Sequence, residues 1–275
     1  MKEIVALACK HDFDLELSSS LSFSPAMLEP IFHSKTKVDY LIHNYFPPPA
    51  VPFVLNLASS DPDTHSRSVN LCLEAIKLCA DIGAPCYSVH AGFAMEMELG
   101  MLGKPHLQKS ACSTAKADRE KAYQTFVESI RKLAKYAAEK QVSLLVENNV
   151  LAVENIASDG TFPLLLADVD EIKGFFKDLR CSEVALLLDV GHAKVCAETL
   201  QINLQSYFDE LEPFIRCLHL SDNDGRRDSN HPFSTRSWFV PYLKKFEHIP
   251  MVIEVYNCTI AETLEQRDLI MNLLN

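Results

Sequence analysis

Six short apolar runs in this chain close on a side chain able to hold a metal ion. They are His43 in VDYLIH, His90 in PCYSVH, Glu147 in VSLLVE, Asp189 in VALLLD, His219 in IRCLH and Glu254 in MVIE. A lone His or Glu at such a position usually packs as a structural group. Six at the same end of six runs point to one shared site, because carboxylates buried together need compensating cations. Mixed imidazole and carboxylate donors suit Zn²⁺, Mn²⁺ or Co²⁺, and Mg²⁺ stays in the set. The chemistry open to such a site is proton transfer at a carbon next to a carbonyl, which needs a positioned base and an electrophile. Two carboxylates on facing strands can take a proton from one face and return it to the other, which is epimerisation. Returning it to the neighbouring carbon is isomerisation.

Two flanking motifs add donors. DVGHA places His192 three residues after Asp189, and HLSDNDGRRDSNH carries Asp228 and His231. The second stretch is polar and punctuated by glycine, the composition of a turn. Arg226 and Arg227 beside it could clamp a phosphate. Ala94–Lys116, after His90, is positioned as a lid, and Pro47–Pro49 as a stiff rim. Trp238, the single tryptophan, fits a core or a pocket wall. Thr64 or Ser66 is expected to cap a helix rather than to do chemistry.

The elements that must position these residues alternate. Strands are expected at Asp14–Leu17, Val38–His43, Pro85–His90, Val142–Glu147, Val184–Asp189, Ile215–His219 and Met251–Glu254. Helices are expected at Val69–Asp81, Ala117–Lys140, Val169–Leu179 and Ala261–Leu274. Continuous apolar strands are buried on both faces, and strand–helix alternation means parallel pairing through right-handed crossovers. The expected fold is an α/β TIM-type barrel formed by residues 1–275 as one domain, with the site at the strands' C-terminal ends. Seven strands are visible where a closed barrel has eight, and a helix-like stretch, Glu3–His11, precedes the first. The expectation is a barrel open at one seam, or short of an N-terminal strand.

Composition narrows the partners. The 275 residues are 48% hydrophobic and 23% charged, with a net charge of −11. An acidic surface disfavours polyanions, so nucleic acid is not the expected partner. Nine cysteines, with no C-x-x-C, read as small buried hydrophobes in a reducing cytoplasm. No apolar run reaches 18 residues, so no membrane span is expected. Association into a homo-oligomer is left open.

LLVENN, LLLDVGHA, CLHLSDNDG and VIEVYN, in that order, resemble the xylose-isomerase-like barrels. That group includes sugar isomerases, ketose 3-epimerases and the type-IV apurinic endonucleases. The resemblance to the epimerases implies that Glu147, Asp189, His219 and Glu254 hold one divalent ion. It implies further that Glu147 and Glu254 are the acid/base pair, and that His192 touches a sugar or sugar phosphate. Asn149 and Arg226 join His192 as expected substrate contacts. Those epimerases usually carry another Glu six residues after the first metal Glu and an Arg six after the metal His. Val153 and Gly225 stand there, with Glu154 and Arg226 one residue further on. The resemblance to the endonucleases implies a three-zinc phosphoesterase with nine ligands: His43, His90, Glu147, Asp189, His192, His219, Asp228, His231 and Glu254. Against it, two residues separate Asp228 from His231 where one is usual, and no Gly-rich turn follows Glu147. No dense basic stripe is visible to track a duplex.

Overall fold

Runs such as LLV and LLL have no polar face, and the sheet they form offers them none. In the structure, a computed structural model that describes residues 1–18, 22–24, 26–101, 104 and 119–275, they are parallel strands covered on both sides. The elements run α1 (Lys2–His11), β1 (Leu15–Leu17), α2 (Glu29–Ser34), β2 (Tyr40–His43), α3 (Pro62–Ile82), β3 (Cys86–His90), α4 (Arg119–Glu139), β4 (Ser143–Glu147), α5 (Val169–Leu179), β5 (Val184–Asp189), α6 (Val190–Leu200), β6 (Ile215–Leu220), β7 (Met251–Ile253) and α7 (Ile260–Leu274). Short helical turns at Ser206–Asp209 and Val240–Leu243 interrupt the later loops.

The seven strands lie in chain order, each parallel to the next. The result is a TIM-like α/β barrel, nearly closed, with one unsealed seam between β7 and β1. Side chains alternate along a strand, so each strand serves two cores. Leu144, Val146, Leu186, Leu188, Leu218 and Leu220 point out into the large core shared with the helices. Leu41, Cys86, Leu145, Leu187, Cys217 and Val252 fill the barrel interior. Two residues beyond five of these stand His43, Glu147, Asp189, His219 and Glu254, and His90 lies four beyond Cys86. The same period of two that fills the barrel therefore aims all six polar side chains at one point above it.

Registers set their neighbours. His90 is opposite Glu147, Asp189 opposite His219, and His43 opposite Ser88. Glu254 lies just past β7, with its amide still bonded to Leu220 O. At the seam, Arg267 of α7 donates to the carbonyls of His11 and Asp12 at 3.1 and 3.4 Å, joining the two ends of the chain.

One expectation shifts. Helix α3 begins at Pro62, with Asp61 rather than Thr64 or Ser66 as its cap; Asp61 Oδ2 accepts from Thr64 N at 2.8 Å. Trp238 is half-buried, donates to Val190 O, and packs among Phe208, Phe239 and Tyr242. Most of the expected lid, residues 102–103 and 105–116 with Cys112 among them, lies outside the described residues, as do 117–118 at the start of the expected helix. The other eight cysteines are free thiols, most of them buried. No helix among the described residues is long and apolar enough to cross a membrane.

Candidate metal centre

Glu147, Asp189 and His219 are fully buried, and His43 and His192 are nearly so. Their donor atoms fall into overlapping groups, each within 4.8 Å. One is Glu147, Asp189, His219 and Glu254; a second is His43, His90 and Glu147; a third is Glu16, His43 and His219. Both oxygens of Glu147 and Asp189 Oδ2 are buried without a hydrogen-bond partner. Four imidazoles approach Glu147, with nitrogens at 3.1 Å (His90), 3.4 Å (His43) and 3.6 Å (His192 and His219). Orphaned buried carboxylates are expensive, and a divalent cation is the partner that removes the expense. Nitrogen and oxygen donors of this kind fit such an ion, so the buried His, Glu and Asp groups are consistent with a metal site.

Two of the imidazoles are aimed from behind. His43 Nδ1 bonds Ser88 Oγ at 3.0 Å and His192 Nδ1 bonds Asn148 O at 2.8 Å, leaving both Nε2 atoms toward the acids. Asp189 does two jobs. Its Oδ1 caps α6 by accepting from His192 N at 2.7 Å, and its Oδ2 faces the cluster. Asn148 locks Asp189 through paired bonds to its N and O at 2.8 and 3.1 Å. Gly191 keeps this turn tight, since a Cβ there would lie 2.6 Å from Ser221 Oγ.

Burial raises the pKa of Glu147 well above the carboxylate range, and His219 and His192 only partly offset it. Burial likewise raises Asp189, to about 7. Burial also works against ionisation of Glu254, but its hydrogen bond and charge pairing with His219, 2.9 Å away, outweigh burial and hold it low. Burial lowers His43 to about 4 and His90 well below the usual range. For His192 and His219 burial acts the same way, but nearby carboxylates win. Asp189 and Asp228 lift His192, and Glu16 lifts His219.

A cleft of about 820 Å³ opens over the cluster, lined by His90, His192, Asp228 and Glu254, with Tyr45 and Phe53 on one wall and Glu154, Arg227 and Tyr256 on another. The expected site residues divide accordingly. His43, His90, Glu147, Asp189, His219 and Glu254 come together, with His192 beside them and Asp228 3.4 Å from His192 Nε2. His231 stays apart. It is exposed, its backbone pairs antiparallel with Asp222, and it belongs to none of the donor groups. Asn230, at φ 44°, is buried instead, with both amide atoms unpartnered. Arg226 is exposed, and Arg227 is the arginine on the cleft, 3.4 Å from Glu154. Asn149 lines the cleft, while its Nδ2 donates to the carbonyls of Ala91, Gly92 and Leu165. The sequence reading assigned no site role to Glu16, Ser88 or Asn148. Glu16 was detectable, since it has the inward parity of β1.

Similar proteins give the same architecture. A computed family model for the xylose isomerase-like TIM barrel matches residues 32–257. Among curated proteins, none matches this sequence. A D-tagatose 3-epimerase-like protein superposes with a TM-score of 0.70 at 16% identity, over 95% of this chain and 87% of that one. D-psicose 3-epimerase from Clostridium cellulolyticum H10 superposes at 0.68 and 16%, over 100% and 93%. A family 2 AP endonuclease from Brucella melitensis superposes at 0.64 and 17%, over 95% and 89%. At these identities the likeness establishes the fold. With the family match spanning most of its length, the chain belongs to the xylose isomerase-like TIM barrel family.

Proposed function

We propose that this chain is a divalent-metal-dependent isomerase or epimerase of a sugar or sugar phosphate, built as one domain. The observation that carries this reading is the pair Glu147 and Glu254, which offer donor atoms to the same 4.8 Å group as Asp189 and His219 beneath an open cleft. Without an ion, burial raises Glu147 and the neighbouring His219 holds Glu254 low. Glu147, Asp189, His219 and Glu254 would hold the ion; Zn²⁺, Mn²⁺, Co²⁺ and Mg²⁺ all suit oxygen-rich sites of this kind. When bound, the ion supplies positive charge against the anion that develops as a proton leaves carbon.

The protein's own groups do the rest. Glu254, ionised and half-exposed to the cleft, takes the proton from one face, and Glu147 returns one from the other. His192, held by Asn148 O and facing Asp228, donates a hydrogen bond to a substrate oxygen. Glu154 and Arg227 line the cleft, although the resemblance to the ketose epimerases expects a Glu at 153, one residue before Glu154, and an Arg at 225, two before Arg227. Val153 is turned to solvent and Glu154 lines the cleft, which supports Glu154 as the substrate contact.

The phosphoesterase reading needs Asp228 and His231 to share a further ion, and His231 lies outside every donor group. That difference favours the sugar enzyme, and the sugar epimerases among the structural matches agree with it. The test is a panel of ketoses, sugar phosphates and abasic duplex DNA, assayed with added Mn²⁺, Co²⁺, Mg²⁺ or Zn²⁺. Interconversion of a sugar that vanishes in Glu147→Gln supports the proposal. Cleavage of abasic DNA with no sugar turned over would overturn it.

A further inference from the structure

His219 sits between carboxylates on both sides of its ring. Nδ1 lies 2.9 Å from Glu254 Oε2, 3.6 Å from Glu147 Oε1 and 3.9 Å from Asp189 Oδ2. Nε2, on the opposite edge, lies 3.1 Å from Glu16 Oε2. The ring is fully buried and the Glu16 side chain is only 9% exposed, so water does not screen the contact.

The three buried imidazoles follow one rule with three different partners. Ser88 offers His43 a hydroxyl, Asn148 offers His192 a carbonyl, and Glu16 offers His219 a carboxylate. Of these, only the carboxylate also makes the far nitrogen a better donor, because its charge stabilises positive charge spreading over the ring.

We propose that Glu16 is a positioning residue of the metal centre. It accepts a hydrogen bond from His219 Nε2–H and so fixes the tautomer whose Nδ1 lone pair faces Glu147, Asp189 and Glu254. This inference rests on the reading of that cluster as a divalent-metal site. Glu16 is not a ligand of the same ion, since the two ring nitrogens point apart.

The arrangement also ties the centre to the open seam. Glu16 belongs to β1 and Glu254 follows β7, the two strands with no backbone pairing between them. Without an ion, His219 Nδ1 lies 2.9 Å from Glu254 and Nε2 3.1 Å from Glu16, so Glu254–His219–Glu16 spans the gap where an unbroken barrel would have a strand; with an ion held there, Nδ1 and Glu254 would meet through it. Loss of Glu16 therefore frees the ligand and loosens the seam beside it.

The test uses the full chain, stripped by chelator and reloaded with Zn²⁺ or Co²⁺. Dissociation constants come from competition with a chromophoric chelator, for wild type, Glu16→Gln and Glu16→Ala. The expected losses of affinity are roughly 10-fold for Gln and up to about 100-fold for Ala. In the Zn²⁺-loaded wild type, ¹⁵N-histidine NMR should show His219 ligating through Nδ1, with a slowly exchanging Nε2–H. That proton should survive in the near-isosteric Gln variant and exchange rapidly in Ala. Affinities within two-fold of wild type for both variants would overturn the inference. So would coordination through Nε2, or a Co²⁺ spectrum that loses a ligand with Glu16. If Glu16→Ala fails to fold, Glu16→Gln carries the comparison alone. If wild type takes up no divalent ion, the metal-site reading fails and this inference falls with it; wild-type uptake with indifferent variants sinks the Glu16 role alone.

Discussion

Glu147 is the residue on which the two main donor groups converge, sharing one carboxylate between His43 and His90 on one side and Asp189, His219 and Glu254 on the other. Replacing it with Gln preserves shape and removes both the charge and the proton carrier. Turnover should fall by about 10²–10⁴-fold, the usual worth of a general acid–base group, as read from kcat on the active sugar. A variant within a few-fold of wild type would remove Glu147 from the chemistry. His231→Ala makes the opposite prediction. An exposed side chain outside the donor groups should leave kcat/KM and metal content within about two-fold, since surface substitutions rarely matter. At this scale the sequence was legible in residue type and strand position, and blind to side-chain direction. Asp228 and His231 read alike as candidates, but the intervening Ser229 and the left-handed Asn230 send His231 to the surface. The spacing pointed to Arg226 as the substrate contact, and the turn places Arg227 on the cleft instead.

Among the elements, the strand-to-helix turns decide whether donors converge. Asp189 ends β5 and caps α6 with no loop between them, which brings His192 back over Asp189. Gly191→Ala would push a methyl against Ser221 Oγ, 2.6 Å away. The expected cost is about 1–3 kcal/mol of stability with weakened metal retention, measurable by denaturant unfolding and metal titration. A second brace lies behind the 222–231 loop. Lys194 donates to Asp222 Oδ1 and Asn223 O, and Ser237 Oγ donates to Asp222 Oδ2. Lys194→Met should lower Tm by roughly 2–6 °C, from about 1–2 kcal/mol of lost bonding, while the Glu147 cluster still binds metal. An unchanged Tm would mean that the brace does not stabilise the loop. Strand positions were legible because parallel strands buried on both faces must be apolar throughout. The first two turns of α3 were not, because Asp63, His65, Ser66 and Arg67 interrupt any apolar period. Nor was the contact of Glu16 with His219, which no local pattern can signal across 203 positions.

For the molecule as a whole, an acidic chain stores several ionisable groups at the mouth of an incomplete barrel, and their protonation is linked to folding. Without metal, the folded-state pKa values of Glu147, Asp189, His192 and His219 all lie above their ordinary values. The folded protein therefore binds more protons than the unfolded chain in that range. Raised carboxylates make the fold less stable as they ionise, and raised histidines lose their stabilisation as pH climbs through their folded pKa. Both signs agree, so chelator-treated protein should melt at higher temperature at pH 7 than at pH 9. Below about 6.5 the depressed His43 and His90 oppose the trend. Calorimetry showing the metal-free protein more stable at pH 9 would contradict the linkage. The open seam was legible in the count of seven strands, while its closure by Arg267 on the His11 and Asp12 carbonyls was not.

Elemental mass spectrometry on protein purified without chelator gives the number of metal ions per chain, on which the proposed reaction depends. About one divalent ion is expected, held by Glu147, Asp189, His219 and Glu254, with a second at most at His43, His90 and Glu147. Near three zinc ions per chain would contradict it, because Asp228 and His231 would then have to ligate from positions that the structure separates.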